Sequence, residues 1–325
     1  MIKAERLNCR ACSKLSSTEN KIYVRESTFG TQEIFPYYIC DYCHSLNLFS
    51  PPDKMDRYYD NNKFGSFTNE LSLNYFQKMV DKFSISKDRH GIISRFLYRM
   101  DLINYSIKPF AQFEIPYDSR ILDVGAGNGY TIYRLFSLGF KNVLGIDPFL
   151  KQESHSFRVN PVSIEQLGRD ETFDVILMSH VIEHIEHPKE ELIKLTQHLN
   201  KNGKIILRLP MLGRTFDIYK EYYQMIDAPR HFFIPTFDGL RYLLNNSGLE
   251  IENYYYDGTP LSIILSSLYS KGLTFQDFLR RPESRLWYRL LPHYQIIKKQ
   301  VSTYNKENRG DQITALVRRK EISKS

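Results

Sequence analysis

The chain has 325 residues, 42% of them hydrophobic and 25% charged, and a formal net charge of +7. This length exceeds one typical domain of about 100–200 residues, so a core domain with appendages is expected, and the apolar share is ample for a buried core. No stretch approaches the ~18 uninterrupted apolar residues of a membrane helix, and Met1 to Cys9 has no signal-like apolar region, which argues against a membrane span and export and leaves a cytoplasmic protein as the expectation.

All four cysteines lie in the first 43 residues, as Cys9-x-x-Cys12 and Cys40-x-x-Cys43, with 27 residues between the pairs. Two such knuckles direct four thiolates at one tetrahedral metal while the intervening chain folds back as a hairpin, here with strands around Ile22 to Val24 and Phe35 to Ile39. Disulfides are the alternative, disfavoured in a cytoplasmic chain. Four thiolates fill the coordination sphere of zinc, so the expected role is structural, in a small ribbon over residues 1–50.

Pro51-Pro52 marks a boundary, after which Met55 to Phe67 is aromatic and polar. Leu71, Tyr75, Met79 and Phe83, then Ile92, Phe96, Leu97 and Met100, recur at three- and four-residue spacing and predict two helices in a linker or lid over 51–115. These are packing stripes rather than a functional face.

The central stretch, 116–257, carries the most information. Ile121 to Val124 reads as a buried strand, Gly125-Ala126-Gly127-Asn128-Gly129 as a glycine turn, Tyr130 to Leu138 as a helix, and Val143 to Ile146 as a second strand ending in Asp147-Pro148. Glycines let the backbone turn sharply and approach a ligand, and an acid ending the second strand can grip two ribose hydroxyls. A dinucleotide-binding dehydrogenase shares this order, but its last two glycines are spaced by two residues, whereas here Asp123 precedes Gly125-x-Gly127-x-Gly129. A poorly defined third strand follows near Phe157 to Val162, then a strand over Phe173 to Ser179, a helix from Lys189 to about Leu199, a turn at Asn202-Gly203 and a strand over Lys204 to Leu209. Thr236 caps a helix to Asn246, Leu249 to Tyr256 is a strand, 258–308 is a helical insertion, and Gln312 to Arg318 in 309–325 is a final strand.

The aspartate-led glycine turn and the later acid resemble class I S-adenosylmethionine-dependent methyltransferases, firmly over Arg120 to Tyr256 and more loosely elsewhere. The resemblance implies an α/β, doubly wound, seven-stranded Rossmann-like sheet, with the last strand inserted antiparallel between strands five and six. It also implies S-adenosylmethionine as cofactor, held by Asp123, Gly125, Ala126, Gly127, Gly129 and Tyr130 in and around the turn, by Asp147 and Pro148, by Glu165, and by Ser179 and His180, in a pocket that N-terminal segments of the family often cover and that Tyr58 and Tyr59 would border. Pro229-Arg230-His231 and the segment Ser266 to Gly272 are similar to a subset with an N-terminal cysteine ribbon, many of whose members act in saccharide and polysaccharide biosynthesis.

Methyl transfer is an in-line displacement at a sulfonium methyl, so the protein aligns the groups, excludes water and removes a proton when a hydroxyl attacks. His184 and His231 are the candidate catalytic residues, histidine being a neutral base near pH 7; for His231, holding the loop is the alternative. On a helix, His180, Glu183 and His184 would share one face and could hold a divalent cation, though magnesium prefers oxygen ligands. Arg230 either clamps a phosphate of a nucleotide sugar or makes a structural ion pair. The acceptor expected is therefore a sugar hydroxyl or sugar carbon. RNA methylation is the alternative enzyme reading. It would use the basic charge, which otherwise only solubilises, but the chain lacks the Asn- or Asp-Pro-Pro-Tyr signature of many base-N methyltransferases, so nucleic acid is not the expected partner. A non-catalytic donor-binding scaffold is the third reading, opposed by the intact turn and Asp147.

Overall fold

The computed structural model describes residues 6–59, 73–86, 92–100, 102, 104–150, 157–168 and 170–321. The aromatic stretch beyond Tyr59 and the start of the first helical stripe at Leu71 lie outside the described residues.

Five short strands come first: β1 (Arg6–Asn8), β2 (Leu15–Ser17), β3 (Lys21–Arg25), β4 (Ile34–Ile39) and β5 (Leu46–Leu48). β1 pairs antiparallel with β2, and β4 lies antiparallel between β3 and β5. The two cysteine pairs occupy the β1–β2 and β4–β5 turns, which are built alike. In each, the fourth residue after the leading cysteine has positive φ (Ser13 at 61°, His44 at 57°) and donates its backbone N–H to that cysteine's carbonyl, at 2.8 and 3.0 Å. All four cysteines are buried.

Helices α1 (Tyr75–Ile85), α2 (Ile92–Arg99) and α3 (Lys108–Gln112) lead into the sheet. Asn74 caps α1 by accepting from the Gln77 N–H at 2.8 Å, while Gln77 returns a bond to the Asn74 N–H. Alternation of strand and helix then builds the central layer: β6 (Ile121–Val124), α4 (Tyr130–Ser137), β7 (Val143–Ile146), β8 (Val159–Asn160), β9 (Phe173–Ser179), α5 (Pro188–Gln197) and β10 (Leu199–Pro210). Beyond it come α6 (Arg214–Tyr219), β11 (Phe233–Ile234), α7 (Phe237–Asn246), β12 (Leu249–Tyr256), the insertion helices α8 (Pro260–Tyr269), α9 (Phe275–Arg280) and α10 (Pro292–Lys306), and β13 (Gln312–Arg319).

The sheet order is β12-β13-β10-β9-β6-β7-β8. β8, β7, β6, β9 and β10 are parallel, and β13 runs antiparallel between β10 and β12. This is the doubly wound class I methyltransferase sheet, with its switch point at β6. The parallel strands read as apolar runs because helices cover both faces; every residue of β6 is buried. β10 starts earlier than the Asn202-Gly203 turn suggests because the turn is absorbed within the strand, where the register against β9 slips between Leu199 and Lys204.

The ribbon is sewn to this layer. β11 pairs with β5, adding a fourth strand to the ribbon sheet. The Thr236 hydroxyl that caps α7, accepting from Gly239 at 3.0 Å, donates to the Cys43 carbonyl at 2.5 Å. A Cβ on Gly239 would lie 2.0 Å from Ser45 Oγ, so only glycine lets α7 meet the second knuckle this closely. The cysteines therefore share one apolar cluster with Leu240 and Leu243 of α7 and with the inner residues of β10 and β13. Among the described residues no helix is long and apolar enough to cross a membrane.

Candidate active site

Because β6, β7, β9 and β10 are parallel, the residues that follow them collect at one sheet edge, where a doubly wound fold opens its ligand crevice. The glycine turn after β6 is anchored by the Gly125 and Ala126 N–H groups, which donate to the Ile146 carbonyl at 2.9 and 3.2 Å. Gly125, Gly127 and Gly129 all have positive φ. At Gly129 a Cβ would also lie 2.4 Å from the Phe157 carbonyl, so the turn tolerates no side chain there. Asp147, at the end of β7, accepts from the Gly127 N–H at 2.9 Å with Oδ2 and from the Phe149 N–H at 2.9 Å with Oδ1. Each carboxylate oxygen keeps a second acceptor direction, which a ribose diol can use. Asp123 is buried beneath the turn; burial and the charge of Asp147 push it up to about 8.

Other expected donor residues divide. Ala126, Tyr130, Ser179 and His180 lie at this edge, and Pro148 is exposed beside Asp147. Tyr130 has its hydroxyl tied to Gln77 of α1 at 3.1 Å and to Arg134 at 2.7 Å. Glu165 is exposed, and its carboxylate is taken by Lys194 of α5, which with a Ser163 contact holds it down at about 2. Ile164 is buried within the core cluster.

The segment after β9 is not the helix that would align His180, Glu183 and His184. It is one 3₁₀ turn, Ile182–His184, and His180 precedes it with φ 57°. His180 Nε2 accepts from Arg208 at 2.7 Å, leaving Nδ1–H to donate to Glu183 Oε1 at 3.2 Å, while Arg208 is ion-paired with Asp257. His184 turns instead toward His231: the rings are 4.6 Å apart at 73°.

His231 arrives on the loop between β10 and β11, and the ribbon places it. Tyr37 of β4 donates to the His231 carbonyl at 2.9 Å, the Leu48 N–H donates to Phe232 at 2.8 Å, and the Phe232 N–H donates to the Glu183 carbonyl at 2.8 Å. His184 Nδ1 lies 3.1 Å from the Arg230 carbonyl, and His231 Nδ1 lies 2.7 Å from the Met225 carbonyl, so each ring carries its proton on Nδ1. Burial pulls both histidines below their ordinary range, His184 further still through its neighbour His231, so both are neutral at pH 7.

Arg230 is buried and ion-paired with Asp227, with the guanidinium lying over the rings of Phe29 and Tyr59. Burial disfavours the Asp227 charge, but Arg230 and His231, with a hydrogen bond from Thr28 at 2.6 Å, together outweigh it and hold the carboxyl below its usual range. The sequence reading missed Asp227, although its offsets of three and four from Arg230 and His231 are a local signal. Of the two tyrosines expected near the pocket, Tyr58 is fully buried in the ribbon cluster, whereas Tyr59 Oη is 3.2 Å from His184 Nδ1 and its ring stacks with Phe149, beside Asp147. A cleft of about 620 Å³ opens nearby, lined by Tyr105, Tyr130, Arg134, Arg208, Arg289 and Tyr294 among others.

In the ribbon, Cys9 and Cys43 sulphurs are 3.6 Å apart and those of Cys12 and Cys40 3.7 Å. A disulfide needs about 2.05 Å. Four thiolates about 2.3 Å from one tetrahedral ion lie about 3.8 Å apart, so the cysteines fit a single metal.

Residues 95–254 match a family described as a methyltransferase domain. Among curated proteins, tRNA U34 carboxymethyltransferase of Shewanella oneidensis is 33% identical over 131 residues, 36% of this chain and 39% of the relative. The enzyme of that name from Methylococcus capsulatus is 29% identical over 181 residues, 50% of this chain and 53% of the relative. The chain thus aligns with about two-fifths to half the length of these relatives. A solved SAM-dependent methyltransferase from Archaeoglobus fulgidus aligns at TM-score 0.41 and 17% identity, over 76% of this chain and 100% of that one.

Residues 95–254 thus match a methyltransferase domain, on a sheet with the class I methyltransferase strand order. The expected acceptor is corrected: relatives named for tRNA modification overturn the sugar acceptor, its place in polysaccharide biosynthesis and the setting aside of nucleic acid. The clear motifs in the chain are those expected of a donor site, and donor motifs say nothing about the acceptor. The short segments Pro229 to His231 and Ser266 to Gly272 were too unspecific to supply it. In the structure, Pro229 to His231 packs against the ribbon and Ser266 is buried within α8.

Proposed function

We propose that this chain transfers a methyl or carboxymethyl group from an S-adenosylmethionine-type sulfonium donor to RNA, with tRNA the first acceptor to test. The observation that carries the donor half is the Asp147 carboxylate bonded to the Gly127 N–H across the turn, which couples the acid that would grip ribose to the backbone that would face the methionine end. The acceptor half rests on the tRNA-modifying relatives, supported by the +7 charge and by the cleft where arginines alternate with tyrosines. A tRNA acceptor places the reaction in the cytoplasm.

The donor, when bound, supplies an activated carbon on a positively charged sulphur. The protein's residues then align and desolvate. Asp123, Gly125, Ala126, Gly127, Gly129, Tyr130, Pro148, Ser179 and His180 shape the donor crevice with Asp147, while Glu165 supports its rim through Lys194. His184 and His231 meet the acceptor beside it, held with lone pairs available by the carbonyls of Arg230 and Met225. Arg230, neutralised by Asp227, fixes that loop. Cys9, Cys12, Cys40 and Cys43 hold a structural zinc ion, whose task is to keep the ribbon rigid behind His231.

The test incubates the full chain with labelled donor and separate pools of tRNA, other RNA and protein, then weighs the modified nucleoside to distinguish methyl from carboxymethyl. Label in tRNA, lost with Asp147→Ala, is the expected result. Donor binding with no label in any RNA pool overturns the acceptor, and absence of donor binding overturns the reading entirely.

A further inference from the structure

We propose that Glu183, His184 and His231 form a second metal site, separate from the cysteines, for a divalent first-row transition metal at the acceptor side of the crevice. The three side chains each bring one ligand atom to within 4.8 Å of the others. Ligands about 2.1 Å from one tetrahedral ion lie about 3.4 Å apart, so the side chains would close by at most about 1.4 Å, within the reach of small side-chain rotations.

Three features of the bonding point to an ion. Both imidazoles have Nδ1 committed to a backbone carbonyl, His184 to Arg230 and His231 to Met225, which leaves each Nε2 with its lone pair. No hydrogen bond from the described residues occupies either Nε2; that of His231 is 3.8 Å from Asp227, beyond hydrogen-bond reach. Glu183 is completely buried, and while Oε1 accepts from His180, Oε2 has no hydrogen-bond partner among the described residues. A buried orphaned carboxylate oxygen is costly unless something polar meets it. A metal satisfies all three lone pairs at once, whereas a proton satisfies one.

The donor set selects the class of ion. Two imidazoles and one carboxylate suit zinc, iron or manganese and leave positions open, while an all-oxygen ion such as magnesium is disfavoured. His180 is a positioning residue: Arg208 fixes its tautomer, and its Nδ1–H orients Glu183. Arg230, a cation beside the cluster, is already neutralised by Asp227. An open position on such a metal would take an acceptor oxygen and lower its pKa; that consequence rests on the RNA reading, but the site itself does not.

The experiment uses the full chain with its cysteines loaded with zinc, and neither donor nor RNA. Manganese(II) is titrated and followed by loss of its free-ion paramagnetic resonance signal; cobalt(II) is then added and its absorption recorded. The expected result is one further equivalent of metal, whose cobalt spectrum lacks the sulphur charge-transfer band. Affinity should fall at least tenfold in the near-isosteric Glu183→Gln and in His231→Gln, with melting temperature as the check that each folds. No manganese bound by the parent chain overturns the site. So does a folded Glu183→Gln that binds as tightly as the parent, or a second cobalt that shows only thiolate bands. Failure of label transfer to RNA would leave these measurements untouched, so the two proposals stand or fall separately.

Discussion

Asp147 fills half of its acceptor capacity with the Gly127 and Phe149 N–H groups, and the other half points to the binding energy of the donor. A charged hydrogen bond contributes about 1.5–3 kcal/mol, so Asp147→Ala should weaken donor binding by roughly 10–100-fold in calorimetry; unchanged affinity would remove this residue from the donor site. His184 packs against Tyr59 and His231 and makes no bond to Asp147 or the glycine turn, and His184→Ala should bind donor within about twofold of the parent yet transfer at least 10²-fold more slowly, the lower end of the effect of losing a group that acts on the acceptor, directly or through a bound ion. Normal turnover by that variant would exclude His184 from the chemistry. The same histidines make stability depend on pH. Burial holds His184 and His231 below the unfolded value of about 6.5, so the unfolded chain binds more protons as the medium acidifies. Their contribution is complete above pH 6.5 and is lost progressively below it. Melting temperature should therefore fall between pH 7.5 and 5, and the slope should flatten in His231→Asn if that variant folds; an unchanged slope assigns the pH dependence to other groups.

The ribbon's elements act on the site through the backbone. β5 pairs with β11, Phe232 bonds to Glu183, and Tyr37 bonds to the His231 carbonyl, so the knuckles and the two histidines share one hydrogen-bonded frame. Cys40→Ser removes one of four thiolates and should release metal, lower the melting temperature by several degrees and slow transfer, while donor affinity, set by β6 and β7, changes little; metal content, a thermal melt and calorimetry together check this. Loss of donor affinity equal to the loss of turnover would show general unfolding instead. Much of this was legible in the chain. The Gly125 to Gly129 turn, the acid at 147 and the helix capped by Thr236 follow from local patterns that tertiary packing reinforces, whereas the antiparallel setting of the last strand follows only from the family resemblance. The third strand was poorly legible because only Val159 and Asn160 pair. His180, Glu183 and His184 have helical spacing, but a positive-φ residue before a 3₁₀ turn throws His180 toward Arg208 and brings His231 to the cluster from 47 positions away in sequence. No local pattern announces a partner at that distance.

At the scale of the whole molecule, charge is the property that tests the acceptor. The chain carries +7 overall, and the cleft beside Tyr130 is lined by Arg134, Arg208 and Arg289. Asp81 and Asp257 pair the first two, so the attraction to phosphate comes from the summed surface rather than from one arginine. An RNA that neutralises about six phosphates on such a surface releases as many counterions, and affinity should fall roughly 10³-fold between 50 and 200 mM salt. Donor binding involves no polyanion and should change far less over that range. Arg289→Ala should lower the slope of log affinity against log salt by about one unit and weaken binding similarly for unrelated RNA sequences, because a phosphate contact carries charge but no base identity. A salt-insensitive affinity, or an Arg289→Ala effect confined to one RNA sequence, would contradict a mode of binding dominated by the phosphate backbone. Filter binding of labelled tRNA across a salt series, with the donor titrated in the same buffers, distinguishes these outcomes.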